Sequence, residues 1–381
     1  MPHAIGVRLA LFYAGAFTVT GVFLPFWPVW LEAQGLSPTE IGYVIAAGFW
    51  PRVVSNLVIA RQSDHWGERR RLMAVLAGVT LLGLTLFALV DRLAWFLVLS
   101  AITGASWASI LPLGEALALK EAKRAGLDYG RVRLWGSLTF ILAAIGAGLW
   151  VERSGAPIVL GLLLGAVGLT LLACLLLPED ARPERGSAPP RLRRLLEQQG
   201  FPWFIGAAGL IQVSHAVYYG FATLHWRAAG FGETTIGWLW AEAVAAEVLL
   251  FWWAGALLRR LDPVRLLGLA GALTVLRWLL TASSVELPVL LLAQALHAAS
   301  FGAAHLAAMN HLRDTTPADL QASAQGVYSA FGFALPFGLI TPVAGWLYGL
   351  AGGGAFLAMA ALALLGTALV ARIPRPGLAA L

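Results

Sequence analysis

The residues of this 381-residue chain best able to do chemistry are ionisable groups set inside apolar stretches. Glu247 lies near the middle of the run 234–258, Arg277 within 266–283, Arg52 in the later half of 38–60 and His297 inside 287–311. A charge at the centre of a bilayer costs about 2.5–3.5 kcal/mol on insertion scales, so each should face a partner or a water-filled cavity. Burial in a low dielectric favours the neutral carboxylic acid, and a nearby arginine favours the carboxylate. A carboxyl that alternates between two such surroundings takes up and releases a proton. Glu247 facing Arg277, with His297 adjacent, is such a proton-coupling set. A static ion pair that fixes helix register is the other reading of the same residues.

Helical spacing supplies neighbours. Gln294, His297, Phe301 and His305 share one face, Gln212, His215 and Tyr219 form a similar stripe, and Trp240 lies two turns from Glu247. Glu115 shares its stripe with Gly104, Ala108 and Pro112, which are small or lack a donor, so its partner must come from another helix. Arg131 and Arg133 open the next apolar run. His215 and His305 read equally well as hydrogen-bonded structural residues. The single cysteine, Cys174, falls in an apolar run, so neither a disulfide framework nor a cysteine metal cluster is expected. No metal or cofactor is called for. Paired catalytic aspartates, Gly-x-Ser-x-Gly, His-Glu-x-x-His and a Walker lysine are missing from the sequence, which argues against an intramembrane enzyme or an ATP-driven pump.

The elements that position these groups are twelve apolar stretches, at 8–31, 38–60, 72–90, 93–118, 129–151, 155–178, 201–226, 234–258, 266–283, 287–311, 321–349 and 354–373. A hydrocarbon core of about 30 Å needs about 20 apolar residues in helix. The composition agrees, with 59% hydrophobic residues, 12% charged and sixteen tryptophans. Continuous apolar runs without period-two alternation select helices over a barrel. The first run begins after Arg8 and extends to Trp30, beyond the core of a signal peptide, and reads as the first helix. If the N-terminus is cytoplasmic, 21 of the 26 Lys and Arg fall on the inner face and only Arg92, Arg153 and Arg227 on the outer one. The positive-inside rule therefore places both termini in the cytoplasm. The +6 net charge then faces anionic membrane lipid, and no aromatic-interleaved basic domain suggests nucleic acid.

The chain divides at a polar, proline-rich stretch, Pro178 to Pro190, followed by a short basic helix at 191–199. The expected organisation is an N-terminal six-helix bundle (1–178), a cytoplasmic linker (179–199) and a C-terminal six-helix bundle (200–381). Two six-helix halves around one long loop are the arrangement of major facilitator transporters, with a substrate site near the bilayer midplane between the halves. The 2–3 loop, with Asp64, Gly67, Arg69, Arg70 and Arg71, resembles the major facilitator signature, although Ala60 stands in place of its first glycine. These are gating or structural residues. A charged turn that retains positive charge inside is the bland alternative, as it is for Asp262 among the arginines of the 8–9 loop.

Further motifs carry a closer resemblance. Asp128-Tyr-Gly-Arg131-Val-Arg133-Leu-Trp-Gly136 is similar to the start of helix five in the branch containing lactose permease, nucleoside:proton symporters and phenylpropionate permeases. In lactose permease a helix-four glutamate precedes the first arginine by sixteen residues, the separation of Glu115 from Arg131. The resemblance gives Arg133 the role of pairing with the glutamate at the sugar site. Ser300 stands where lactose permease has a helix-ten carboxylate, Gln294 replaces its lysine and Tyr219 occupies a position acidic there, so the lactose site is not carried over whole. The 3-phenylpropionate permease family is the nearer likeness. It rests on Gly21-Val-Phe-Leu-Pro-Phe-Trp, Ser214-His-Ala-Val-Tyr218-Tyr219, Glu247 within Ala246-Glu-Val, Arg277-Trp278, Leu296-His297, His305-Leu-Ala-Ala-Met and Gln325-Gly-Val-Tyr328.

That resemblance implies an all-α membrane protein of twelve transmembrane helices in two bundles. It implies a monomer of the bacterial cytoplasmic membrane that imports a small aromatic monocarboxylate with a proton by alternating access. A nucleoside or oligosaccharide symporter is the alternative. An aromatic acid needs a cation for its carboxylate and an apolar wall for its ring. Arg52 is the uncommitted cation of the first half, with Arg133 available if its pair with Glu115 opens. His215 joins them as a polar contact, and Tyr219, Trp240, Phe301 and Tyr328 supply the wall. Phe26, Trp27 and Trp30 are expected in an interfacial belt.

Overall fold

A computed structural model describes residues 2–55, 69–179, 192–317 and 320–374, and every regular element among them is helical. We number the twelve spans in chain order. They are α1 (Pro2–Ala33), α2 (Pro38–Phe49), α3 (Arg69–Phe87), α4 (Leu93–Ala125), α5 (Tyr129–Ser154) and α6 (Ile158–Leu176), then α7 (Phe201–Val213 and Ala216–Ala228) and α8 (Glu233–Trp252, continued by Ala254–Arg260). The remaining four are α9 (Pro263–Ser283), α10 (Leu287–Ala295, a π-helical stretch Ala298–Ala303, and Ala304–Thr315), α11 (Gln321–Val327, a π-helical stretch Tyr328–Ala334, and Leu335–Ala351) and α12 (Ala355–Val370). Among the described residues nine helices are long and apolar enough to cross a membrane, the last of them running from α11 into α12. The other two expected spans are α2, followed only as far as the described residues allow, and α7, which is broken. Asp64 and Gly67 lie outside the described residues.

Local chemistry sets the boundaries. Ser37 and Glu40 form a reciprocal capping box around Pro38 at the start of α2. Asp128 accepts from the Gly130 and Arg131 N–H groups at the start of α5. Asp262 accepts from the Arg265 N–H at the start of α9, so the lone acidic residue of the 8–9 loop is a helix cap. Gly126, at φ 65°, closes α4 in the left-handed conformation.

The chain forms two compact units, Met1–Ser187 with Gly220–Ala241, and Ala188–Tyr219 with Glu242–Leu381. In the first, α1 packs on α5 and α6, α3 on α4 and α6, and α2 on α4. In the second, the leading part of α7 packs on α11 and α12, and α9 on α10 and α12. The same pairing scheme thus recurs six helices later, a structural repeat that is faint in the residues themselves.

Phe26, Trp27 and Trp30 do not form an interfacial belt. They are 0–3% exposed: Trp27 and Trp30 stack at 4.8 Å and press edge-on against Phe87. Three aromatic rings in five residues bury more surface by stacking inside the unit than by lying at its rim. Arg70 donates to Glu179 at 2.7 Å, joining the start of α3 to the segment that follows α6.

Within the first unit the hairpin 220–241 is fastened by polar contacts. Arg227 donates to Glu32 at the end of α1 (2.7 Å) and to Glu233 (2.9 Å). Glu152, at the end of α5, accepts the Thr234 backbone N–H at 2.7 Å and so caps α8 from another helix. Below them Gly148 and Gly237 bring α5 and α8 backbone to backbone, where any Cβ would overlap a carbonyl. Arg227→Gln should raise deuterium uptake of 220–241 roughly five-fold, the effect of about 1 kcal/mol from two partly exposed ion pairs. Unchanged uptake would show that glycine packing alone holds the hairpin. Bonds from Thr234 hold the Glu152 carboxyl below its usual range. A lowered value makes this bond fully present at neutral pH and lost as pH falls through the acid range, so protection should persist from about pH 8 to about pH 5 and decline below.

Candidate functional site

Two clusters of functional side chains emerge, one in each unit. In the second unit the centre is Arg277, whose side chain is fully buried. Its Nε donates to the Ala293 carbonyl (2.8 Å), one terminal nitrogen meets His297 Nδ1 (2.9 Å) and Ser300 Oγ (3.0 Å), and the other donates to Gln294 Oε1 (3.1 Å). The guanidinium carbon lies 4.4 Å from the Tyr218 ring centre and 4.5 Å from that of Trp278. Gln294 turns its amide nitrogen to Tyr218 Oη at 2.9 Å. A permanent cation is thereby surrounded by neutral acceptors and aromatic faces, the partners that make its burial tolerable.

Two local distortions shape this cluster. α7 breaks at Ser214 and His215, where side chains add bonds to the carbonyls of the preceding turn: Ser214 Oγ donates to Ile211 O at 2.6 Å, and His215 Nδ1 lies 3.3 Å from Ile211 O and 3.1 Å from Gln212 O, which also accepts the His215 backbone N–H. Trp278 Nε1 donates to Ser214 Oγ, which ties α9 to the break. In α10 the π-helical stretch begins just after His297 and presents Ser300 to both Arg277 and His215 Nε2 (3.2 Å). Along the same helix the rings of His297, Phe301 and His305 stack in series, 5.4 and 6.5 Å apart. Tyr219 stands edge-on to Phe301 and to His297. Tyr328, at the start of the α11 π-helical stretch, faces His305 and Phe204.

Glu247 of α8 approaches α10 at Gly302, where an added Cβ would stand 3.3 Å from its Oε1. It interacts electrostatically with Arg277, Tyr218 and Tyr219. Glu247, Arg277, His297, His215, Tyr219 and Phe301 are thus brought into one neighbourhood, with Tyr328 further along it. The guanidinium bonds that are resolved run to neutral groups of α10.

The first unit holds Glu115 and Arg133, 3.6 Å apart and 39% and 30% exposed. Arg133 lies 4.1 Å over the Phe17 ring and 5.3 Å from Tyr13, whose hydroxyl donates to Tyr129 at 3.3 Å. Arg131 pairs instead with Asp128 on the surface. Arg52 donates Nε to Gly48 O at 2.9 Å and stacks on Phe49 at 4.3 Å. Trp240 belongs to the first unit, whereas Glu247 of the same helix belongs to the second. The tryptophan is buried there, donating to Thr223 Oγ1 at 3.0 Å and packing on Trp226, because the leading turns of α8 belong to the hairpin 220–241.

Sequence reading missed Tyr218, Ser214 and the bonding role of Ser300. Their signal was adjacency: Tyr218 and Ser214 flank His215 and Tyr219, and Ser300 follows His297 by three positions. It also passed over Glu242 in α8, one carboxylate oxygen of which is buried with no hydrogen-bond partner among the described residues.

The MFS_1 like family matches residues 7–358. Over 360 residues the chain is 34% identical to a probable 3-phenylpropionic acid transporter of Escherichia coli (strain K12), covering 93% of this chain and 94% of that one. It is 28% identical over 353 residues to the maltose permease of Geobacillus stearothermophilus, covering 88% and 86%. The crystal structure of the nucleoside transporter NupG superimposes with a TM-score of 0.83 at 16% identity, covering 98% of this chain and all of that one.

The two arginines differ in what their loss would cost. Arg277→Leu leaves several buried acceptors unanswered and should destabilise the purified protein by at least about 2 kcal/mol. Arg133→Leu, which removes a loose and partly exposed pair, should cost about 1 kcal/mol or less. Denaturant unfolding in detergent measures both, and equal losses would contradict the contrast.

Proposed function

The chain belongs to the MFS_1 like family of membrane transporters, and from that premise we propose that it is a proton-coupled symporter importing a small aromatic monocarboxylate such as 3-phenylpropionate by alternating access. The observation that carries the substrate class is Arg133. It is a partly open cation lying on aromatic rings, held by a carboxylate at 3.6 Å rather than in a tight bidentate pair. A substrate carboxylate displaces Glu115 from Arg133, and the partly buried Phe17 offers its ring to that of the substrate. Arg52 is the second cation for this role, since among the described residues its resolved hydrogen bond uses Nε alone. The name of the Escherichia coli relative supports the same class.

Proton coupling is assigned to Glu247. It reaches the Arg277 cluster electrostatically, so any movement of α8 against α10 changes the field that decides whether its carboxyl holds a proton. Arg277 and His297 are its fixed partners, and His215, Tyr219, Phe301 and Tyr328 form the wall of that unit. Both termini lie in the cytoplasm of a bacterial inner membrane, and the transporting unit is one chain, as expected of its basic-residue pattern and family.

In proteoliposomes an inward proton gradient should drive accumulation of 3-phenylpropionate, and a protonophore should abolish it. Sodium-driven uptake would reject the coupling. Glu247→Gln should block accumulation while leaving exchange of labelled for unlabelled substrate intact; full accumulation rejects Glu247 as carrier. Arg133→Gln and Arg52→Gln should weaken binding of the acid at least about ten-fold, through loss of a charge-assisted bond, while sparing its amide. Binding of maltose or a nucleoside in place of the acid would select the alternative substrate class.

A further inference from the structure

The hydrogen-bond partners around Arg277 determine where each imidazole proton sits. A guanidinium only donates, so His297 Nδ1, 2.9 Å from it, is an acceptor and carries no proton. His297 therefore holds its hydrogen on Nε2 while this bond exists. Carbonyl oxygens only accept, so His215 Nδ1, facing Ile211 O and Gln212 O, carries a proton. Neutral His215 thus has a bare Nε2, and 3.2 Å away is Ser300 Oγ. That hydroxyl already accepts from Arg277. Its own hydrogen has two destinations, His215 Nε2 and the His297 carbonyl at 3.4 Å. The nearer acceptor is the imidazole.

We infer that Ser300 is a positioning residue for proton coupling: it passes the directionality of Arg277 through its hydroxyl to His215 Nε2, and so holds His215 as a neutral imidazole of the tautomer opposite to the one Arg277 itself sets on His297. This deepens the proposed function and rests on it for the word coupling. Its consequence is a division of labour. Adding a proton to His297 Nδ1 would set it against an Arg277 hydrogen at bonding distance. Adding one to His215 Nε2 would force Ser300 to swing to its own backbone and would place a second cation beside Arg277. The titratable and charged groups facing His215 are Arg277 from α9, His297 from α10 and Tyr219 from its own helix, with Glu247 of α8 acting on Arg277 and Tyr219. Of these, Glu247 is the group that takes the coupled proton under the proposed function. Ser300 and the two histidines hold the arginine still while it does so.

The experiment is 15N NMR of histidine-labelled full-length protein in detergent micelles, with the two signals assigned through His215→Gln and His297→Gln. His215 should show the Nδ1–H tautomer and His297 the Nε2–H tautomer, and neither should change between about pH 5.5 and about pH 8, across the free imidazole range. Ser300→Ala, a substitution that only removes an oxygen from a buried site, should shift the His215 Nε2 resonance to that of an unbonded imidazole nitrogen while the tautomers of His215 and His297 stay as they were. Uptake should fall about ten-fold with Ser300→Ala, the effect of one hydrogen bond to a charged group, and recover in part with Ser300→Thr, which restores the hydroxyl. A protonated Nδ1 on His297, titration of either imidazole across that range, or a His215 signal indifferent to Ser300→Ala would each overturn the inference. Correct tautomers in a protein that accumulates no aromatic acid would leave the relay standing and sink the proposed function alone.

Discussion

A guanidinium keeps its charge under any condition the protein meets, and Arg277 places that charge where no water reaches it. The organisation of the second unit follows from answering its N–H groups. The acceptors come from α10 at positions 293, 294, 297 and 300, which a regular helix gathers within an arc of about 120°. Tyr218 and Trp278 cover it with ring faces. The break in α7 and the π-helical stretch of α10 are then parts of one arrangement: the first sets the Ile211 and Gln212 carbonyls against His215 Nδ1, and the second turns Ser300 toward its Nε2. Distortion of this kind is stable in an apolar interior only because side chains satisfy each backbone group it releases.

The first unit handles its charges differently. Glu115 and Arg133 remain partly exposed and loosely paired, and the arginine leans on Phe17 rather than on a shell of acceptors. Such a pair contributes little to stability, which leaves its members available for exchange with a ligand. At the hairpin 220–241, by contrast, Arg227 is bracketed by two carboxylates and Glu152 caps a neighbouring helix. Those bonds compete with water and salt, and close glycine packing beneath them supplies the shape that charge alone would not.

The positions of the spans were legible in the sequence because hydropathy integrates over twenty residues and tolerates local error. The caps at Asp128 and Asp262 were legible as residue types, although Asp262 read as a charged turn until its bond to Arg265 was seen. What escaped is what averaging removes. A two-residue break at Ser214–His215 and one-turn widenings after His297 and Val327 leave the apolar count unchanged. Trp27 and Trp30 read as belt residues because tryptophan is common there, and only the partner rings Phe87 and Phe96, some sixty residues on, made burial better. Trp240 shared a stripe with Glu247, yet one helix serves both compact units, and the stripe could not say where the change falls.

The contrast between the two arginines bears on which of them meets a substrate. A carboxylate arriving at Arg277 would have to displace His297, Ser300 or Gln294 from bonds of 2.9–3.1 Å, and each displaced group would be left buried and unsatisfied. One arriving at Arg133 displaces a carboxylate held at 3.6 Å that can turn to solvent. A charge with four bonds to buried acceptors makes a good reference for a neighbouring acid and a poor receptor for a ligand. Gly302 sharpens the first of these roles. A side chain there would push Glu247 away from α10, whereas its absence lets the carboxyl come close enough to interact electrostatically with Arg277. Under the proposed function, the cation that exchanges its partner and the cation that does not are different residues in different units of the chain.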